Sequence, residues 1–226
     1  AEMMAEKWDL SRGELDNIAY LSHQRALKAA EKGYFDRQIL KLPKVLEQDE
    51  GVRSQTTEDI LSKLEPAFKP EGVITAGNSS QISDGAAALL LTSEEVVNKY
   101  SLNPIAKVNA MSVVGTDPVL MLSGPIPATK KVLEKAKLNP EKIDIVEVNE
   151  AFSSVVGAWR KEYPEIDYEK VNSNGGAISI GHPLGATGAR LMINLVHEMK
   201  RKNLKYGLQA ICEGGGTANA TIVELV

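Results

Sequence analysis

Ile143-Asp144-Ile145-Val146-Glu147-Val148-Asn149-Glu150-Ala151-Phe152 is the stretch on which the reading of the chain turns. Branched apolar residues dominate it up to Val148, which predicts a strand from Ile143 to Val148. Beyond Asn149 the spacing turns helical, from Glu150 to Glu162. Outward from this point, strand-like segments at 105 to 113, 207 to 212 and 218 to 225 alternate with helical ones from Pro127 to Lys137 and from Thr187 to Arg201. A Gly-rich segment at 174 to 188 lies between. Such alternation predicts an α/β layer fold with a mostly parallel sheet.

The N-terminal part reads differently. Ser11-Arg12-Gly13-Glu14 is a capping box that opens a long amphipathic helix, and Gly33 supplies its stop. Charges, Pro43 and Gly51 then fill residues 34 to 56, and Thr56-Thr57-Glu58-Asp59 opens a short helix before Pro66. The first eighty or so residues are thus a helical, loop-rich excursion. At Asp84-Gly85 the texture changes. Ala86 to Leu91 is continuously apolar, the mark of a strand buried on both faces, and a second capping box follows at Thr92-Ser93-Glu94-Glu95. No upstream segment offers this run a partner, and the chain opens in helix-like sequence at Ala1 without a capping residue. Both features fit a piece of a longer protein.

The totals exclude several classes. The 226 residues are 43% hydrophobic and 25% charged, with a net charge of -4, which gives no electrostatic reason to expect nucleic acid as a partner. No stretch approaches the roughly 18 apolar residues of a membrane span, so neither a membrane nor a signal peptide is expected, and a cytoplasmic location is the default. With one cysteine and three scattered histidines, the chain has no disulfide and no metal-ligand spacing.

Three loops carry chemistry. Asn149-Glu150-Ala151-Phe152 lies where a strand gives way to a helix, the usual place of ligand sites in α/β proteins, although Asn is also a good helix cap. Gly175-Gly176-Ala177-Ile178-Ser179-Ile180-Gly181-His182-Pro183-Leu184-Gly185-Ala186-Thr187-Gly188 places five glycines around one imidazole. It has neither the ending of a phosphate-binding P-loop nor the glycine order of a dinucleotide fold. A structural histidine is the alternative there. Cys212-Glu213-Gly214-Gly215-Gly216 puts the lone thiol beside three glycines that bare the backbone N–H groups, where a buried apolar cysteine would instead favour bulk. Together the loops offer a thiol, an imidazole and an amide, a set suited to proton transfer beside a thioester.

In order and spacing these three strings resemble the C-terminal signatures of the thiolase family. Thr75-Ala76-Gly77-Asn78-Ser79-Ser80 with Asp84-Gly85-Ala86-Ala87, and Gly124-Pro125-Ile126-Pro127-Ala128, match as well. The resemblance covers the whole chain. It implies a thiolase-like fold of two similar halves in five α-β-α-β-α layers. On that template 1–82 is the later part of a loop domain, 83–103 a returning strand and helix of the N-terminal half, and 104–226 the C-terminal domain.

The same resemblance implies an acyltransferase of acyl-CoA and fatty-acid metabolism, an acetyl-CoA acetyltransferase or 3-ketoacyl-CoA thiolase. Such enzymes use coenzyme A thioesters as substrates and no cofactor or metal. Cys212 is similar to the acid/base cysteine, and His182 to the histidine that activates the nucleophile. Asn149 resembles the residue that holds a water in one oxyanion hole, and the N–H of Gly214 belongs to the other hole. Ser80, Arg53, Met121, Ala151 and Phe152 match positions that contact coenzyme A. The family's nucleophilic cysteine has no counterpart here, so the chain alone is expected to be inactive. The implied partners are the missing N-terminal half and further copies in a homodimer or homotetramer. A non-catalytic acyl-CoA-binding module is the alternative.

Overall fold

The capping signals mark real helix ends. In the computed structural model, which describes residues 1–226, Ser11 Oγ accepts from the Glu14 N–H and the Glu14 carboxylate accepts from the Ser11 N–H at 2.8 Å. This reciprocal box opens helix α2 (Arg12–Glu31), behind the short α1 (Glu2–Lys7). Gly33, at φ 68°, ends α2 in the left-handed conformation that glycine adopts at least cost. Thr57 and Ser93 cap α3 (Glu58–Ser62) and α4 (Glu94–Tyr100) in the same way, each hydroxyl accepting an N–H of the first turn.

Four strands form one sheet in the order β1-β4-β3-β2, with β1 Ala106–Gly115, β2 Ile145–Val148, β3 Tyr206–Cys212 and β4 Thr217–Leu225. Each lies within a few residues of its predicted span. The expectation of a mostly parallel sheet is corrected: only β2 and β3 run parallel, while β4 is antiparallel to both β3 and β1. The cause is local. Residues 213–216 are too few to cross over the sheet, so β3 and β4 must form a hairpin.

Helices cover both faces. On one, α5 (Pro125–Ala136) and α6 (Ser153–Glu162) pack Val132, Leu133, Val155, Val156 and Trp159 onto Val146, Val148, Leu208, Ala220 and Ile222. On the other, α8 (Thr187–Lys202) sets Leu195 and Met199 against Ile145 and Val223. Neighbouring residues of β4, Ile222 and Val223, therefore point to opposite layers, as the two-residue period of a strand requires. Trp159 is fully buried and its Nε1–H donates to Thr129 Oγ1 at 2.9 Å, so its burial leaves no polar atom unpaired. At the sheet's edge, Lys131 and Lys135 reach from α5 to donate to the carbonyls of Val113 and Met111, each at 2.9 Å.

One predicted element does not form. Residues Ala86 to Leu91 have no ladder partner and no regular structure, and Leu90 and Leu91 are 85% and 77% exposed. A strand exists only where a neighbour takes its N–H and C=O groups, and no strand of this chain lies beside it. No helix is long and apolar enough to cross a membrane.

Candidate active site

The C-terminal ends of the parallel pair set the site. The Asn149 N–H donates to Ala210 O at 3.0 Å, which continues the β2–β3 ladder one step and places Asn149 across from the last residues before Cys212. Asn149 does not cap the helix that follows: α6 begins only at Ser153, and its cap position is held by Phe152 without a side-chain bond. The Asn149 side chain is instead buried and turned toward His182, its Nδ2 lying 3.5 Å from His182 Nε2. Its Oδ1 has no protein partner.

The second neighbour of His182 is Thr187, whose Oγ1 lies 2.7 Å from His182 Nδ1 and 3.0 Å from the Pro183 carbonyl, so both ring nitrogens are held, Nδ1 by Thr187 and Nε2 by Asn149. Burial, together with the positive charge of Arg190, lowers the His182 pKa, so the ring is neutral at physiological pH.

Two residues that the sequence analysis passed over hold this geometry. Glu150 is buried and accepts from Ser22 Oγ at 2.6 Å, Asn172 Nδ2 at 2.9 Å and the Ile178 N–H at 3.2 Å, which joins α2, the β2 loop and α7 (Ala177–Ile180). A Cβ on Gly176 would collide with that carboxyl, so this glycine is required by close approach. Gln81 Nε2 donates to the carbonyls of Gly51 and Ile178, both at 2.8 Å, while the Gln81 carbonyl accepts from the His182 N–H at 2.9 Å. Two signals in the sequence were available: a carboxylate two residues beyond an apolar strand, and a run of small polar residues ending in a long amide.

Cys212 ends β3 and is partly buried against the core, as are Met121 and Phe152. Burial, with a smaller contribution from the Glu213 charge, pushes the thiol up to about 11. Burial therefore keeps the thiol protonated at neutral pH. Gly216, at φ 82°, lies against the 116–118 loop, and the Thr116 N–H donates to its carbonyl at 2.7 Å. Gly214 is exposed, with open space where a side chain would stand.

The remaining predicted residues fall into two groups. The Ser80 N–H donates to Ala151 O at 3.0 Å and Ser79 bridges Phe152, so Ser80, Ala151 and Phe152 lie together beside Asn149. Arg53 lies in the loop between α2 and α3, where its N–H donates to Nδ1 of the buried His23 at 3.1 Å. No hydrogen bond joins Cys212 to His182 or Asn149.

Set against known proteins, residues 102–225 match the family described as thiolase, C-terminal domain, and residues 1–95 match thiolase, N-terminal domain. The chain belongs to the thiolase family. It is 48% identical to the steroid 3-ketoacyl-CoA thiolase FadA6 of Mycobacterium tuberculosis, across 99% of this chain and 55% of that protein. It is 44% identical to the 3-ketoacyl-CoA thiolase of Bacillus subtilis, across 100% of this chain and 61% of that one. Among solved structures, the Bacillus anthracis acetyl-CoA acetyltransferase superposes with a TM-score of 0.94 at 42% identity, over 100% of this chain and 59% of its own. Human mitochondrial 3-ketoacyl-CoA thiolase in complex with CoA gives 0.94 at 40% identity, over 100% and 57%. This thiolase chain thus spans little more than half the length of the relatives it matches.

Proposed function

We propose that the chain supplies the acid/base side of a thiolase that condenses or cleaves acyl-CoA thioesters, and that the acyl-accepting cysteine comes from outside these 226 residues. The supporting observation is the convergence of His182 Nε2 and the Asn149 amide at the end of the parallel pair β2–β3, the strand end that leads into Cys212. In the condensation direction Cys212 first gives its proton to the CoA thiolate released at acylation and then, as a thiolate, takes the α-proton of acetyl-CoA; the enolate carbon attacks the acyl thioester, the carbon–sulfur bond breaks and the nucleophile's sulfur leaves as thiolate. His182 Nε2 takes the nucleophile's proton at acylation and, with the water that Asn149 orients, holds the thioester oxygen of acetyl-CoA as it becomes the enolate, while the Gly214 N–H donates to the acyl-enzyme carbonyl in the other hole. The high pKa of Cys212 fits a proton donor, and its use as a base requires an adjacent oxyanion site that makes proton removal from carbon nearly balanced.

Coenzyme A is read as running past Ser80, Met121, Ala151 and Phe152, with Arg53 toward its adenine end. The CoA complex of the human relative supports binding of coenzyme A, and the clustering of Ser80 with Ala151 and Phe152 is the observation behind the path. Residues 1–82 act as the later loop domain, 83–103 as the return into the N-terminal half and 104–226 as the C-terminal domain. A cytoplasmic homodimer or homotetramer is the proposed setting.

The test is acetoacetyl-CoA thiolysis by the purified 226-residue chain, expected to be nil, beside Cys212→Ser in the assembled enzyme. That variant should form acyl-enzyme yet lose condensation by about 100-fold or more. Equal loss of both steps would remove the step-specific role of Cys212. Turnover by the chain alone would overturn the division of labour.

A further inference from the structure

One side-chain amide joins two parts of the site that lie far apart in sequence. Gln81 Nε2 is within hydrogen-bond distance of three carbonyl oxygens, those of Gly51 and Ile178 at 2.8 Å and that of Ser179 at 3.1 Å. Three acceptors around one end of an amide require its NH2 group there. The main chain of Gln81 grips the same turn: its N–H donates to Ala177 O at 3.4 Å, and its carbonyl accepts from the His182 N–H at 2.9 Å. A single residue thus holds the turn from the start of α7 to the imidazole-bearing residue.

The Gly51 contact brings in a second segment. Gly51 lies so close to the turn that a Cβ on it would stand 2.8 Å from Ser179 O. Two residues on, the Arg53 N–H donates to Nδ1 of the buried His23 at 3.1 Å. Residues 51–53 belong to no helix or strand, and they are fixed at both ends by side chains, to α2 through His23 and to the turn through Gln81. Immediately before Gln81, the Ser80 N–H donates to Ala151 O at 3.0 Å. Gln81 therefore stands between the residues read as the coenzyme A path and the histidine read as the base.

We propose that Gln81 is a positioning residue that couples the coenzyme A side of the site to His182: its amide pins the 51–53 segment to the turn that its own carbonyl holds at the His182 N–H, so neither part moves without the other. Methionine has a similar length and no donor, so Gln81→Met keeps the packing and releases both segments. The proposal rests on the reading of Ser80 and Arg53 as coenzyme A contacts and of His182 as the base, yet the coupling can be measured without turnover.

The experiment is amide hydrogen exchange, read by NMR in the ¹⁵N-labelled 226-residue chain, for wild type, Gln81→Met and Gly51→Ala, with thermal melting as the control for folding. Gln81→Met is expected to speed exchange of both the Arg53 and the His182 N–H by about 10-fold, while Leu208 and Ile222 in the sheet keep the wild-type rate. Should that variant fold poorly, Gly51→Ala carries the test from the other side, because its methyl presses on Ser179 O: the His182 N–H is expected to loosen along with that of Arg53. A His182 N–H without protection in wild type, faster exchange at Arg53 alone, or equal acceleration at Leu208 and Ile222 overturns the proposal. In the assembled enzyme Gln81→Met should raise KM for CoA and lower kcat together, each by about 10-fold. A change confined to one of the two constants overturns the coupling as well. Absence of thiolysis in the wild-type assembled enzyme, with the exchange results as expected, would strike the proposed reaction alone.

Discussion

Thr187 shows how much one hydroxyl can decide. Its Oγ1, 2.7 Å from His182 Nδ1, holds one side of the ring and leaves the other to Asn149. In the assembled enzyme of the proposed function, Thr187→Val should keep the fold and the side-chain volume but release that side of the ring, lowering kcat by about 10-fold or more with little change in KM. Steady-state kinetics beside a melting curve would check this. Glu147 offers a pH test. Its folded pKa is raised above its unfolded value, so its contribution to stability is present below about pH 4.5 and is lost as pH rises toward the folded pKa. Glu147→Gln is therefore expected to raise Tm at pH 8 and to leave it unchanged near pH 4.

At the scale of elements, the capping box of α2 is the clearest case of sequence dictating structure. Ser11→Ala removes the acceptor of the Glu14 N–H and should cost about 1 kcal/mol, measured by urea unfolding. Gly176→Ala should cost more, because the added methyl forces the Glu150 carboxyl from its three donors. These two cases mark what can be read from sequence. Caps, strand spans and the three signature loops are set by neighbours within a few residues, and they were legible. The partners of Glu150 and Gln81 come from segments up to 128 residues away, and no local spacing encodes them. The direction of β4 was readable in principle from the four-residue link 213–216, but the alternation of strands and helices elsewhere pointed to parallel pairing. Ala86 to Leu91 carries a strand signal that the structure does not realise, because the signal lies in the run itself and pairing needs a neighbour beside it.

For the whole molecule, acid should loosen the packing of the loop region before the sheet. Burial, and the nearby positive charge of Arg53, lower His23 to about 4, below its unfolded value, so the stability it confers is full above about pH 6.5 and is lost as pH falls toward 4. Hydrogen exchange between pH 7 and pH 4 should show amides of α2 and of residues 51–56 opening before those of β3 and β4. Uniform opening would place the weak point elsewhere. The edge of the sheet has a different fate. Strand β1 ends the sheet, yet the carbonyls of Met111 and Val113 are already taken by Lys135 and Lys131 from the chain's own α5. A stray polypeptide seeking to extend the sheet meets two ammonium groups in place of free acceptors, so the chain carries its own gatekeepers against fibril growth along that side.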